Sequence, residues 1–599
     1  MISERLPFLP EVLPSFRPCP PAHDRAGWET LPPAAKKRLM AAGAAEAAKP
    51  LPALPLSLWL DFTRTGKRSE WEEACFARRA RLCALAAAEC VEYQGRFLDA
   101  IADTVWAICE ESAWQLPAHN SYVRDTPQLP LPDTARPLID LFAAEAGALL
   151  STVHYLLGAE LEQAYPGLAT RMEREVRARI LTPYLRDHFW WMGNRDEPMC
   201  NWTSWCTQNV LLCFFLLPDV SQEERRDAVR QAAYSLDCFL KDYGPDGCCN
   251  EGAQYYRHAG LTLWGALRIL SSAAPEAFGP VFREEKIRNI AEYILNVHVD
   301  GPYYLNFGDC SPLAGRCGAR EYLFARAMGS PALEALAAAD FRADPDPDRL
   351  TAQDASSRIN LWYRLLTAFT QREMMDCPDP GPAPAGDVWY PSVGIFAARR
   401  GSWVLGAKMG GNGDSHNHND TGSVTVYKDG CPFLIDVGVE SYTRKTFSPQ
   451  RYEIWTMQSG WHNLPTFDGV MQLPGAAYAA RDIRVGEGCI SAELSGAYPP
   501  IRGLGSYRRT VSVTEEGVAL SDRTDWDGEV ELTLMTQRRP QLSPGGLALE
   551  DLGVIRISSG AEISLQPVPV EDPRLRTAWP DTLWKISIYF YTSLDLFLE

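Results

Sequence analysis

The sequence predicts an α+β multidomain protein: an N-terminal α/α toroid (an incomplete barrel of helical hairpins) followed by a C-terminal antiparallel β-sandwich. Three observations carry this. Apolar residues recur at helical spacing up to about residue 375. The segment DCPDPGPAPAGD (376–387) then has the composition of a linker. Beyond it the period drops to two, with β-branched residues in the runs and Gly or Asp at the turns. The chain has 599 residues, too many for one compact core. We therefore place an N-terminal extension packing on the helical domain at 1–70, the toroid at 71–378 and the sandwich at 379–599.

The elements follow in order. Residues 1–50 are rich in Pro and Ala and are expected to wrap over a neighbouring surface. Segments 79–112, 135–158, 224–244 and 283–298 each carry an apolar helical face, with breaks at 125–133, 217–224, 244–247 and 271–280. Long helices joined by short loops suggest stacked antiparallel hairpins. No repeated motif is legible. In the second half, 392–410, 422–438, 489–498, 507–525 and 530–537 alternate as half-buried strands, and YKDGCPF (427–433) reads as a hairpin turn.

Composition narrows the function. Apolar residues make up 46% and charged residues 22%, which suits a soluble globular protein. The net charge of −18 repels nucleic acid and anionic membranes, and no basic run or zinc-finger spacing offsets it. The N-terminus, MISERLPFLPEVLPSF, lacks the basic start and apolar core of an export signal, and no run of about 18 apolar residues suggests a membrane span. The 16 cysteines have no CxxC spacing and read as reduced, buried thiols of a cytoplasmic protein. The 18 Trp and 23 Tyr are core residues or platforms for sugar rings. A homo-oligomer is compatible with all of this.

Chemistry concentrates in three motifs. GDSHNHND (413–420) holds two of only nine histidines. On an extended strand residues i and i+2 face one side, so His416 and His418 would point into one site. Asp436 in FLIDVG and His462 in GWHNLPTFDG complete a nitrogen and oxygen donor set suited to Zn²⁺. The bland alternative is a surface pair beside an unrelated Asp and His. CNEGAQYYRHAG (249–260) brings Glu251, Tyr255, Tyr256, Arg257 and His258 to a helix start after a Gly-rich turn. A cation beside a phenol favours phenolate, which makes an acid or base, although aromatic residues on a helix are usually core. Asn194, Arg195 and Asn201 stand before an apolar helix, as caps or as partners for a carboxylate. His119, Asn120, Asn306 and Asp309 fall on loops, where ligand contacts are frequent.

Taken in order, NW at 201–202, EGxxYY at 251–256, SHNHNDTGS at 415–423, FLIDVG at 433–438 with Tyr442 after it, and HN at 462–463 resemble the heparinase II/III-type polysaccharide lyases. The resemblance spans about 80–590 and implies the same toroid and sandwich. It further implies β-elimination at a uronic acid, which needs the sugar carboxylate neutralised, the C5 proton removed and the leaving O4 protonated. On this resemblance Asn201 is the neutraliser, Tyr255 is base, acid or both, and His416 is its partner. Tyr256 competes with Tyr255, because the motif register can shift by one. His418, Asp436 and His462 would hold Zn²⁺, either bracing the strand of His416 or polarising substrate. Trp202 stands where several members carry His, and could stack on a sugar. With His119, Asn120, Glu251, Tyr256, Arg257, Asn306, Asp309 and Tyr442 it forms the expected substrate-binding set.

The expected activity is cleavage of an acidic oligosaccharide or polysaccharide to a 4,5-unsaturated uronate end. The missing export signal and the negative charge favour imported oligosaccharides. Three other readings compete: a glycoside hydrolase using Glu251 and Asp309 as opposed carboxylates, a zinc hydrolase, and an inactive carbohydrate-binding protein.

Overall fold

The computed structural model describes residues 1–344, 358–379, 386–414, 416–443, 445–558 and 561–599, so half of the linker at 376–387 lies outside the described residues. The chain forms two compact units that follow chain order only in part. The first comprises Met1–Tyr243, Arg257–Ala291 and Cys317–Asp379, and the second Gly244–Tyr256, Glu292–Arg316 and Pro380–Glu599. Residues 244–256 and 292–316, inside the helical stretch of the sequence, thus group with the strands. Their hydrogen bonds explain why. Ser392 N and Oγ donate to Asp246, Arg399 Nη2 donates to the Asn296 carbonyl at 2.7 Å, and Tyr427 Oη donates to the Tyr304 carbonyl.

The first unit consists of helical hairpins, among them Ser69–Glu92, Leu98–Cys109, Leu141–Ala164, Asn201–Leu216 and Gln222–Asp242, and has the α/α toroid architecture. The single helix expected over 79–112 is two helices. Tyr93 adopts a left-handed conformation, and the buried Glu89 carboxylate accepts from Gly95 N and Phe97 N, which starts the next helix. Asp140 caps Leu141–Ala164 through Phe142 N and Ala143 N. That helix is long and apolar enough to cross a membrane by length and composition, a property the sequence reading missed, but 83% of its apolar window is buried inside this protein. The N-terminal segment lies on the helices: Ile2 N and Ser3 N donate to Asp237, and Phe16 N donates to the Phe215 carbonyl.

The second unit is built of antiparallel sheets. One has five strands in the order Gly386–Tyr390, Ile395–Arg400, Trp403–Lys408, Val424–Lys428 and Cys431–Leu434. Others have eight and four strands, and their inner faces share one core with it, including Phe396, Leu405, Val426, Val511, Leu520, Leu532 and Ile588. The strand Tyr507–Val513 alternates buried and half-buried residues, as its sequence period requires. The hairpin expected at YKDGCPF is present. Lys428 pairs with Cys431, and Asp429 and Gly430 take φ of 50° and 74°, both in the left-handed region that such a two-residue turn demands. Inside the sandwich Arg509 pairs with Asp522 in a fully buried ion pair, and its Nη1 also donates to the carbonyls of Gly422 and Asn463. None of the 16 cysteines forms a disulfide.

Candidate active site

The site is assembled around one carboxylate, Asp309, which is 1% exposed in the loop LNFGDC of the second unit. Its Oδ2 lies 2.9 Å from His416 Nδ1 and 3.1 Å from Tyr442 Oη. Its Oδ1 lies 3.0 Å from His418 Nε2 and 2.5 Å from Arg451 Nη2. Burial alone would push the Asp309 carboxyl up, but hydrogen bonds from His416 and His418 and the charge of Arg451 outweigh it and hold the group well below the usual carboxylate range. Gly308 lets this loop pass beneath the histidine: its φ is +60°, and a Cβ there would fall 2.8 Å from the His416 carbonyl oxygen.

Tyr255, in the first turn of the helix Gly252–Ala273, meets this cluster. Its hydroxyl is 2.6 Å from Tyr442 Oη, and its ring stacks on the His416 imidazole with centroids 4.8 Å apart. The direction of the proton chain follows. An ionised Asp309 only accepts, so Tyr442 donates to it, and Tyr442 has one proton to give. Tyr255 must then donate to Tyr442, and is itself a phenol in this state. Burial pushes Tyr255 up to about 12, against the Tyr442 hydrogen bond and the charge of Arg574. The depressed phenol expected from the sequence is therefore corrected: desolvation outweighs the cation.

The cation beside the phenols is Arg574 and not Arg257. Arg574 lies over the Tyr442 ring at 4.6 Å and donates through Nη2 to the Asp309 carbonyl and to Gln254 Oε1. Asp572 holds it there by accepting from Arg574 N while also accepting from Ser441 N, next to Tyr442. Among the described residues no carboxylate pairs with the Arg574 guanidinium. Arg257 belongs to the first unit and pairs with Glu321 at 3.5 Å.

His416 and His418 do not sit on a strand. The strand Gly411–Asn412 ends before them, and His416 has φ of 53°. They converge because both imidazoles grip Asp309, one on each oxygen. His418, Asp436 and His462 form the expected trio, with ligand atoms within 4.8 Å of one another and all three residues buried. His462 Nδ1 is 2.9 Å from Asp436 Oδ2, and Gly438 N donates to Asp436 Oδ1. Two atoms test the fit of a metal: His418 Nδ1 and His462 Nε2 are buried and have no hydrogen-bond partner. Each ring has its other nitrogen on a carboxylate, an arrangement that leaves a lone pair free and oriented. This donor set suits a divalent ion of borderline softness.

The remaining candidates divide by unit. Glu251 reaches His416 Nε2 with Oε2 at 3.4 Å. Glu251 and Asp309 thus flank one imidazole and do not form the opposed pair a glycoside hydrolase needs. Tyr256 is 0% exposed and packs on Tyr293, away from the His416 ring that Tyr255 covers. Asn306 donates to the Cys310 and Asp436 carbonyls, tying the Asp309 loop to the segment that follows the strand Cys431–Leu434. Asn201, Trp202, His119 and Asn120 lie in the first unit. Trp202 contacts the His119 ring at 4.7 Å and Trp190 at 5.0 Å. His119 is set by Asp140 at 2.8 Å. Asn120 is buried, and its amide is committed to Leu129 O and Gln115 within the loop, so it holds the loop where ligand contact was expected. Asn201 opens its helix without capping it, since the preceding Cys200 is the cap.

Residues 382–566 match the family model "Heparinase II/III-like, C-terminal". This stretch is thus similar to the C-terminal domain of heparinase II/III-like proteins. The matched stretch carries His416, Tyr442, Arg451 and the metal trio, while Arg574 falls just beyond it. Among solved structures the chain resembles a heparinase III at 13% identity, with a TM-score of 0.58 over 89% of this chain and 78% of that one. It resembles the heparan sulfate lyase HepC of Pedobacter heparinus at 13% identity, with a TM-score of 0.53 over 88% and 77%. A chondroitin AC lyase mutant of Streptomyces coelicolor A3 follows at 11% identity, with a TM-score of 0.50 over 94% and 82%. At such identities the likeness is one of fold, and the fold is that of polysaccharide lyases. No curated protein matches the chain by sequence.

Sequence reasoning did not find Arg451 or Arg574, and it gave Asp309 a loop contact or, on the hydrolase reading, a place opposite Glu251. Single arginines carry no spacing, and Asp309 acquires its part from residues more than 100 positions away. The one local signal was EDPRLR (571–576), an Asp-Pro turn that presents an arginine.

Proposed function

We propose that the protein is a polysaccharide lyase that cleaves uronic-acid-containing glycans by β-elimination and leaves a 4,5-unsaturated uronate end. The observation that carries this is the Tyr255 phenol stacked on His416 and hydrogen-bonded to Tyr442. A phenol beside an imidazole supports an acid and base pair, and the fold is shared with proteins named as lyases of heparan sulfate and chondroitin. Tyr255, protonated in this state, supplies the proton to the departing O4. His416, held by Asp309 and 23% exposed at its side chain, takes the C5 proton. Asp309 orients His416 and stays ionised. Tyr442 returns a proton path to Tyr255, and Arg574 offsets negative charge on the phenols as the proton leaves. Asn201 is proposed, on its motif alone, to neutralise the uronate carboxylate, and Trp202 with His119 to stack on sugar.

A zinc ion is proposed at His418, Asp436 and His462. When bound it would supply coordination bonds that fix the loop from His416 to His418. His416 itself grips Asp309 and is left for the reaction. The experiment is incubation with a panel of uronate-containing glycans under near-ultraviolet absorbance. Growth of the unsaturated-uronate chromophore supports the lyase. Reducing ends without chromophore would indicate a hydrolase, and binding without either product an inactive carbohydrate-binding protein.

A further inference from the structure

The helical unit contains a second polar pocket, of about 480 Å³, that shares no residue with the site around Asp309. Arg17, Arg268 and Arg283 line it together with Ser271, Ser272 and Trp264. Arg268, Ser271 and Ser272 lie on the helix Gly252–Ala273, Arg283 ends the turn Gly279–Arg283, and Arg17 follows Phe16, whose N–H is anchored on the Phe215 carbonyl. Three guanidiniums from three segments therefore face one cavity. Among the described residues none of the three pairs with a carboxylate. Arg268 is stacked at 5.4 Å over Trp264, and burial disfavours its charged form with no acidic group to offset it. Such a group is costly unless a counter-charge arrives. The chain as a whole carries −18, so this concentration of cations is a local exception.

We propose that this pocket binds a small organic molecule through a tetrahedral oxyanion, a phosphate or sulfate ester. Guanidiniums form forked, charge-assisted bonds with such oxygens, and the two serine hydroxyls add neutral donors. Three cations exceed what one carboxylate would balance. The volume falls within the range of small-molecule sites, which leaves room for an organic body beyond the anion.

The test is titration calorimetry of the full chain with inorganic phosphate, glucose 6-phosphate and glucose 6-sulfate at constant ionic strength. At least one ester should bind saturably, one per chain, and more tightly than inorganic phosphate. The tighter of the two esters identifies the source of the oxyanion. Arg268→Gln should weaken that binding about tenfold or more, with an unchanged circular dichroism spectrum. If Arg268→Gln fails to fold, the exposed pair Arg17→Gln/Arg283→Gln decides and should also weaken binding. No saturable binding of either ester at about 10 mM, or binding unaffected by these substitutions, overturns the proposal.

Discussion

At the scale of the residue, the two adjacent tyrosines separate cleanly. Tyr255 faces His416 and Tyr442, whereas Tyr256 is wholly buried on Tyr293. Tyr255→Phe should lower turnover by about 10²–10⁴-fold with the melting temperature nearly unchanged, while Tyr256→Phe should leave turnover within a few-fold. Steady-state rates on the best glycan of the panel check both. Arg574→Met should make Tyr255 a weaker acid toward the departing O4. Burial, Asp309 and Glu251 all push Tyr255 up, and Arg574 is the cation opposing them. A loss of about tenfold at neutral pH is expected, with the high-pH fall in rate displaced upward as the phenol holds its proton longer, and a wild-type pH–rate profile would remove Arg574 from the mechanism. Glu145 offers a stability test away from the site. It is fully buried, and burial pushes it up to about 7 against hydrogen bonds from Trp205 and Asn360. Its folded pKa therefore exceeds the unfolded one. Between about pH 4.5 and 7 the unfolded chain releases a proton that the folded chain keeps, so stability should fall as pH rises and level off above 7. The size is on the order of 3 kcal/mol. Melting temperatures of wild type and Glu145→Gln across this window measure it, and the substitution should flatten the slope.

At the scale of the element, the site is held by loops that rigid strands carry. Asn463 donates to the Val424 and Ile435 carbonyls and accepts from Met535 N, so the HN motif fastens neighbouring chain segments beside the metal trio. Arg509 performs the same service for the Gly422 and Asn463 carbonyls while paired with Asp522. Asp522→Ala would leave a buried guanidinium unpaired and should cost about 3–5 kcal/mol in chemical denaturation. The metal trio makes a separate prediction. With an ion bound, chelation should lower the melting temperature, and His462→Ala should abolish the response to chelator. Activity lost on chelation with an unchanged melting curve would instead favour a metal acting on substrate.

At the scale of the whole molecule, the charge of −18 acts against the proposed polyanionic substrate. Screening reaches about 8 Å at physiological ionic strength, so added salt should raise kcat/KM on a long acidic polymer. Short oligosaccharides, which extend less over the surface, should respond weakly. Rates at two ionic strengths on matched long and short chains decide it.

How much of this was legible beforehand follows from range. Hydrophobic period is local, so the change from 3.6 to 2 marked the helical and β halves, and Asp429-Gly430 marked its hairpin. Residue type was also local: His416, His418, Asp436 and His462 could be nominated as donors because imidazole and carboxylate are what a metal takes, and the last three, which the family resemblance singled out, do gather. Tertiary structure alone decided that Asp309 is the hub, that Arg574 and not Arg257 is the cation at the phenols, and that 244–256 and 292–316 join the strands. Even the gathering of His416 and His418 had a different cause from the one their spacing suggested. A strand would have aligned them by pleat, whereas the folded chain turns at His416 and binds each ring to one oxygen of a carboxylate more than 100 residues upstream. Distances across that much chain are set by packing, and packing is written in no short stretch of sequence.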